Sequence, residues 1–115
     1  MTVSILRIGT NPPPAEVSTP GEVLAGRPVT TLHNYYNSSD EKFFSGVWES
    51  TVGSWRVNYT EDEFCTLLTG KAILRGDDGS SQTFVAGDAF VIPAGFTGSW
   101  ETVEPLRKLY AIYQR

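Results

Sequence analysis

One carboxylate set among aromatic residues is the first chemistry in this sequence. In "GSWRVNYTEDEFCTLLTG", residues 53–70, Glu63 stands between Tyr59 and Cys65. A carboxylate and a phenol sharing a pocket can move protons, with Glu63 as general acid or base and Tyr59 orienting it or sharing the proton. Cys65 adds a thiol, which becomes a nucleophile only with a base and an electropositive setting. Its surroundings in sequence are acidic, and the chain's one histidine, His33, lies in the distant "TLHNYYN". Cys65 therefore reads as a small buried hydrophobe. Glu61 and Asp62 read as a solvated turn, the default for adjacent charged residues between strands. A second stretch, "GDAFVIPAGFTGSWE" at residues 87–101, carries Trp100 behind two turn-forming glycines and Pro93.

Strands are the elements that would bring these residues together. From residue 43 onward the chain runs through short aromatic and β-branched segments: "KFFSGVWES", "SWRVNY", "EFCTLLT", "KAILRG", "SQTFV", "DAFVIP", "GSWETVE" and "LRKLYAIYQR". Turn material separates them, as in "GDDGS" and "EP", and Asp78-Gly79 suits a hairpin. No segment sustains a helical period, so the expected class is all-β, an antiparallel sandwich or barrel. Alternate residues of a strand share a face. If Glu63 points inward, so do Cys65 and Leu67; if Tyr59 does, so do Val57 and Trp55; if Gly98 does, so do Trp100 and Thr102. The expected pocket is thus Tyr59, Glu63, Cys65 and Trp100, with Trp48 nearby and Val57 and Gly98 on the same faces. Such a pocket suits a small ligand with a ring face and a donor or cationic group. If Glu63 is only structural, its expected partners are backbone N–H groups or an arginine across the barrel, Arg56 or Arg107.

Composition bounds the remaining possibilities. The chain of 115 residues suits one domain, and its three Trp, five Tyr and six Phe are enough to line a cavity as well as fill a core. A net charge of -4 argues against nucleic acid and anionic membranes as partners. One cysteine permits no internal disulfide, and the N-terminus shows no leader pattern, so a cytoplasmic location is expected. "NPPPAEVSTPGE" favours extended backbone, and residues 1–30 read as an arm preceding a barrel over 31–115.

The two quoted stretches resemble the paired motifs of the cupins. Glu63 lies seven positions before Gly70, and Gly87, Pro93 and Gly95 open the second motif in order. The block from "GVWEST" to "WETVEPLRKLY" is similar to the small cupins grouped with the ureidoglycine aminohydrolase cupin domain, which include cupins of ethanolamine utilisation. The resemblance implies a double-stranded β-helix barrel of jelly-roll type, RmlC-like, with a cavity at one mouth. It also implies a homodimer with the N-terminal arm exchanged onto the partner, an arrangement that could carry His33 to the partner's barrel mouth. With no placed carboxylate beside it, His33 reads instead as an exposed or packed residue of an arm strand. Cupin metal sites take two histidines and a carboxylate from the first motif and one histidine from the second. Here the histidine positions fall on Val57, Tyr59 and Gly98, and only Glu63 remains. No metal and no cofactor are expected, and Gly98 would leave room where an imidazole stands in other cupins. Three functions are compatible with these residues: a metal-free binder of a small metabolite, a metal-independent isomerase, lyase or hydrolase using Glu63 and Tyr59, and a structural or dimerisation module.

Overall fold

Two long strands organise the chain. In the computed structural model, which describes residues 3–115, the elements are β1 (Glu16–Ser18), β2 (Val23–Gly26), β3 (Thr30–Asn37), β4 (Phe43–Ser50), β5 (Gly53–Asn58), β6 (Glu61–Gly76), β7 (Ser81–Val85), β8 (Ala89–Ile92) and β9 (Thr97–Gln114). There is no helix among the described residues, hence none long and apolar enough to cross a membrane. Every strand pairing is antiparallel. The first half of β6 and the second half of β9 lie in one layer with β8, β4, β3 and β1. The other halves lie in a second layer with β7, β5 and β2. The sheet thus curls on itself through two bent strands.

The bend corrects the expected segmentation. "EFCTLLT" and "KAILRG" form one strand, as do "GSWETVE" and "LRKLYAIYQR". Gly70 and "EP" mark a shared corner and not two turns. Gly70 adopts φ +91°, and the β6–β9 register shifts between Leu67 and Ala72. A methyl on Gly70 would lie 2.7 Å from Leu106 Cα, so only glycine lets β9 pass this close. The bulge also switches which residues of β6 face inward: Glu63, Cys65 and Leu67 before it, Ala72 and Leu74 after it. On β9 the parity holds from Gly98, Trp100 and Thr102 through Leu106, Lys108 and Tyr110. The core between the layers is built on Trp55, Cys65, Leu67, Leu74, Ile92 and Trp100.

Glu61 and Asp62 are not a solvated turn. Both belong to β6. Asp62 accepts the backbone N–H of Ala94 at 2.8 Å and pairs with Arg115 at 2.9 Å, which ties the Pro93–Gly95 turn to the start of β6. The Asp78-Gly79 hairpin forms between β6 and β7, with Gly79 at φ +89°. Of the arm expected over residues 1–30, residues 1 and 2 lie outside the described residues and 3–15 form no strand. β1 pairs along Thr30–Leu32 of β3, and β2 pairs along the outer edge of β5. His33 lies in β3 and its Nδ1 donates to the carbonyl of Pro13 at 2.9 Å, which holds that part of the arm against β3.

Candidate functional site

The inward faces of β4, β5, β6 and β9 enclose a cavity of about 340 Å³. Its walls include Trp48, Trp55 and Trp100, all the tryptophans of the chain. Trp55 and Trp100 pair across β5 and β9 with rings 25° from parallel, and Trp48 meets Trp100 edge-on at 5.4 Å. Trp100 is held in place by its indole N–H, which donates to Thr102 Oγ1 at 2.9 Å, and Thr102 in turn bonds Ser50. The Trp100 ring is therefore a fixed surface and not a mobile filler. Tyr110 and Ile112 of β9 continue the wall, and Leu32 of β3 with Pro20 of the arm completes it.

At the polar end stands a group that the sequence did not single out. Lys108, on β9, reaches across to Glu63, on β6, at 2.7 Å. Both residues are buried, at 4% and 7% exposure. The ammonium also approaches Cys65 Sγ at 3.4 Å and lies 4.6 Å from the ring centroids of both Trp48 and Trp100. Cys65 donates to the same Glu63 oxygen, Oε2, at 3.2 Å. Lys108, Glu63 and Cys65 thus form one buried network against two indole faces. Burial by itself pulls the lysine's proton affinity down, but Glu63, with Cys65 and Tyr59 adding to it, holds the ammonium above its ordinary range. Lys108 is a fixed cation in an apolar wall.

This corrects the expected partner of Glu63. Arg56 pairs instead with Asp77 at 2.6 Å, and Arg107 faces Glu49 at 3.5 Å, both at the surface. The signal for Lys108 was present in "LRKLYAI": Leu106, Lys108, Tyr110 and Ile112 alternate on one face. It is obscured because Lys108 follows Arg107, and adjacent cations read as solvent-facing.

The other expected site residues divide into two groups. Tyr59, Glu63, Trp48 and Trp100 line the cavity. Cys65 lies behind Glu63, fully buried. Val57 and Gly98 face each other across β5 and β9 and line no part of the cavity. The space expected beside Gly98 is absent. A methyl there would lie 2.9 Å from the Arg75 carbonyl carbon and 3.0 Å from Gly76 Cα, because β6 passes directly against it. Gly98 is required by backbone approach and marks no imidazole-sized gap.

The titrating groups are shifted toward inertness. Burial pushes the Tyr59 phenol well above its ordinary value, with Lys108 opposing and Glu63 adding. Burial likewise pushes the Cys65 thiol up to about 12, again with Lys108 opposing and Glu63 adding. Cys65 therefore stays protonated at neutral pH. Since only the thiolate reacts, alkylation of the native protein by iodoacetamide at pH 8 is expected to run about a hundredfold or more slower than alkylation in denaturant. Mass spectrometry of timed samples checks this, and equal rates in the two states would contradict the network.

The donor set does not fit the transition metal that cupin motifs hold. Among the described residues, no three His, Cys, Asp or Glu side chains are grouped to hold an ion. Val57 and Gly98 bring no donor, the Tyr59 phenol is held protonated, and the one carboxylate already bonds an ammonium that would repel a second cation.

Residues 37–110 match the family of EutQ-like cupin domains. Among solved structures, a DUF861-family protein of unknown function from Pseudomonas syringae superposes with a TM-score of 0.77 at 24% identity, covering 87% of this chain. This chain spans only 44% of that protein's length. A DUF861-family protein from Thermotoga maritima is 33% identical over 56% of this chain and 73% of its own, with a TM-score of 0.55. The EutQ protein of Clostridium difficile superposes with a TM-score of 0.67 at 18% identity, covering 76% of this chain and 69% of its own. No curated protein matches the chain.

Proposed function

Because the chain belongs to the EutQ-like cupin domain family, we propose that it is a small-molecule-binding cupin whose cavity is organised by a built-in ammonium in place of a metal ion. The observation that carries this is the buried Lys108–Glu63 pair at the floor of an open cavity of about 340 Å³ walled by three indoles. A barrel serving only as a scaffold does not need a buried ion pair for its stability. An apolar pair of similar volume is commonly as stable or more so. A cavity this size with aromatic walls and a few convergent polar groups is how proteins hold small ligands. The geometry favours binding over proton transfer, since Glu63 is bonded to Lys108 and the phenol of Tyr59 holds its proton tightly. The finer likeness to the ureidoglycine aminohydrolase cupin domain brings no activity with it, because histidines that serve as ligands there are absent from these positions.

All three tryptophans line the cavity, so their indole N–H signals in a protein NMR spectrum report on it directly. A panel of small metabolites of mixed charge, titrated into the full chain, is expected to include a compound that shifts all three signals saturably. A panel in which no compound moves any of them would sink the binding function.

A further inference from the structure

We infer that the cavity takes a neutral, flat ligand presenting a carbonyl and an N–H side by side, as a carboxamide or lactam on a ring does. This rests on the binding function proposed above and adds the class of ligand. Charge is the first reason. The polar end of the cavity holds one ammonium and one carboxylate, both buried and in contact at 2.7 Å, so their charges cancel. A ligand with net charge would enter this low-dielectric space with no counter-charge left to meet it. An anion drawn to Lys108 would also meet Glu63. A cation would find its natural seat taken: Lys108 Nζ already lies 4.6 Å from the Trp48 and Trp100 ring centroids, the position in which aromatic faces hold an external ammonium. The expectation of a cationic ligand group is thereby replaced.

The free valences of the polar atoms are the second reason. An ammonium has three donors. Lys108 directs two of them at Glu63 Oε2 and Cys65 Sγ, and the third meets no oxygen or nitrogen of the described residues. Glu63 accepts through Oε2 alone, which leaves Oε1 without a hydrogen bond from the described residues. Tyr59, its proton held by burial, is a further donor on the same wall. Donors and a carboxylate oxygen therefore converge on one end of the cavity. Their complement is an acceptor beside a donor on one rigid group, a carbonyl for Lys108 and Tyr59 and an N–H for Glu63. The indole walls supply the surface for the attached ring.

Nicotinamide, nicotinate and 1-methylnicotinamide keep one ring size while carrying a neutral carboxamide, a negative charge and a positive charge. Each is titrated into the full chain and followed by the three indole N–H signals and by calorimetry. Nicotinamide is expected to shift all three signals and to bind at least about tenfold more tightly than either charged analogue. Tyr59→Phe is expected to weaken nicotinamide about three- to tenfold, the loss of one hydrogen bond. If nicotinate or 1-methylnicotinamide binds as tightly as nicotinamide, or more tightly, the ligand class is overturned while the binding function stands. If none of the three moves an indole signal, the class is overturned, and the binding function is then decided by the wider panel.

Discussion

Lys108→Met lowers the stability of the fold by about 3–5 kcal/mol, the cost of leaving a buried charge without its partner. Methionine keeps much of the lysine's length and apolar stem, so the loss isolates the ammonium. Glu63 would then keep only the Cys65 thiol as a bonded neighbour, inside a wall of indole and aliphatic side chains. Glu63→Gln is expected to be destabilising for the converse reason, with Lys108 left unbalanced. The double variant Lys108→Met/Glu63→Gln is expected to cost less than the sum of the two by about 1–3 kcal/mol, since residues in one network couple. Urea unfolding of the four proteins measures this, and additive losses would show that the two groups do not sense each other. If Lys108→Met does not accumulate as folded protein, Lys108→Arg keeps the charge and supplies the comparison. The sign of the pH dependence follows from the same pair. Because Glu63 holds Lys108 above the ordinary lysine value of 10.5 against the pull of burial, the lysine's contribution is fully present below that pH. It is lost only as pH rises beyond it, through the folded-state value. Stability across the neutral range should therefore carry no loss from Lys108.

Gly98→Ala is the second large effect, at about 3 kcal/mol or more. The atoms a methyl would strike are backbone atoms of Arg75 and Gly76, which cannot swing aside as a side chain could. Moving them means separating β6 from β9 at the end where Gly76 and Gly98 are register partners. Gly98→His is the more telling variant, because it writes an imidazole into the position at which the cupin resemblance places a metal ligand. It is expected to weaken or abolish folding and to create no metal site. Thermal unfolding of the two variants with and without added zinc or nickel checks both statements. A folded Gly98→His protein stabilised by metal would show that the β6–β9 approach is looser than described.

How much of the site can be read from sequence depends on which strand carries it. On β5 and the first half of β6, strand alternation alone gives the inward residues Trp55 and Glu63, because neither segment is interrupted. Tyr59, by contrast, lies between the two strands, and Val57, on the parity of Trp55, does not reach the cavity. On β9 the same rule picks out Trp100 and Thr102 but stops at Glu104-Pro105, which reads as a turn. In the folded chain these residues are the bend of a continuous strand. The inward register therefore carries on to Lys108, and the residue that balances Glu63 lies beyond an apparent break. Gly98 fails for a different reason. Strand alternation gives the face a residue occupies but not how closely the neighbouring strand passes, and that distance comes from the β6–β9 register. The pairing of β1 and β2 onto the sheet edges is similarly hidden, since "NPPPAEVSTPGE" carries strong extended-backbone signals but only the three-residue β1, and the four-residue β2 follows directly after it.

The measurement that bears most directly on a cavity organised by lysine is metal content. Protein without an affinity tag, grown with manganese, iron, nickel and zinc supplied and passed through gel filtration, would be assayed by inductively coupled plasma mass spectrometry. The expected result is far less than stoichiometric metal of any kind, because the ammonium of Lys108 already bonds the one carboxylate that could anchor an ion. Stoichiometric metal retained by the folded chain would contradict the Lys108–Glu63 pair as the organising feature of the cavity.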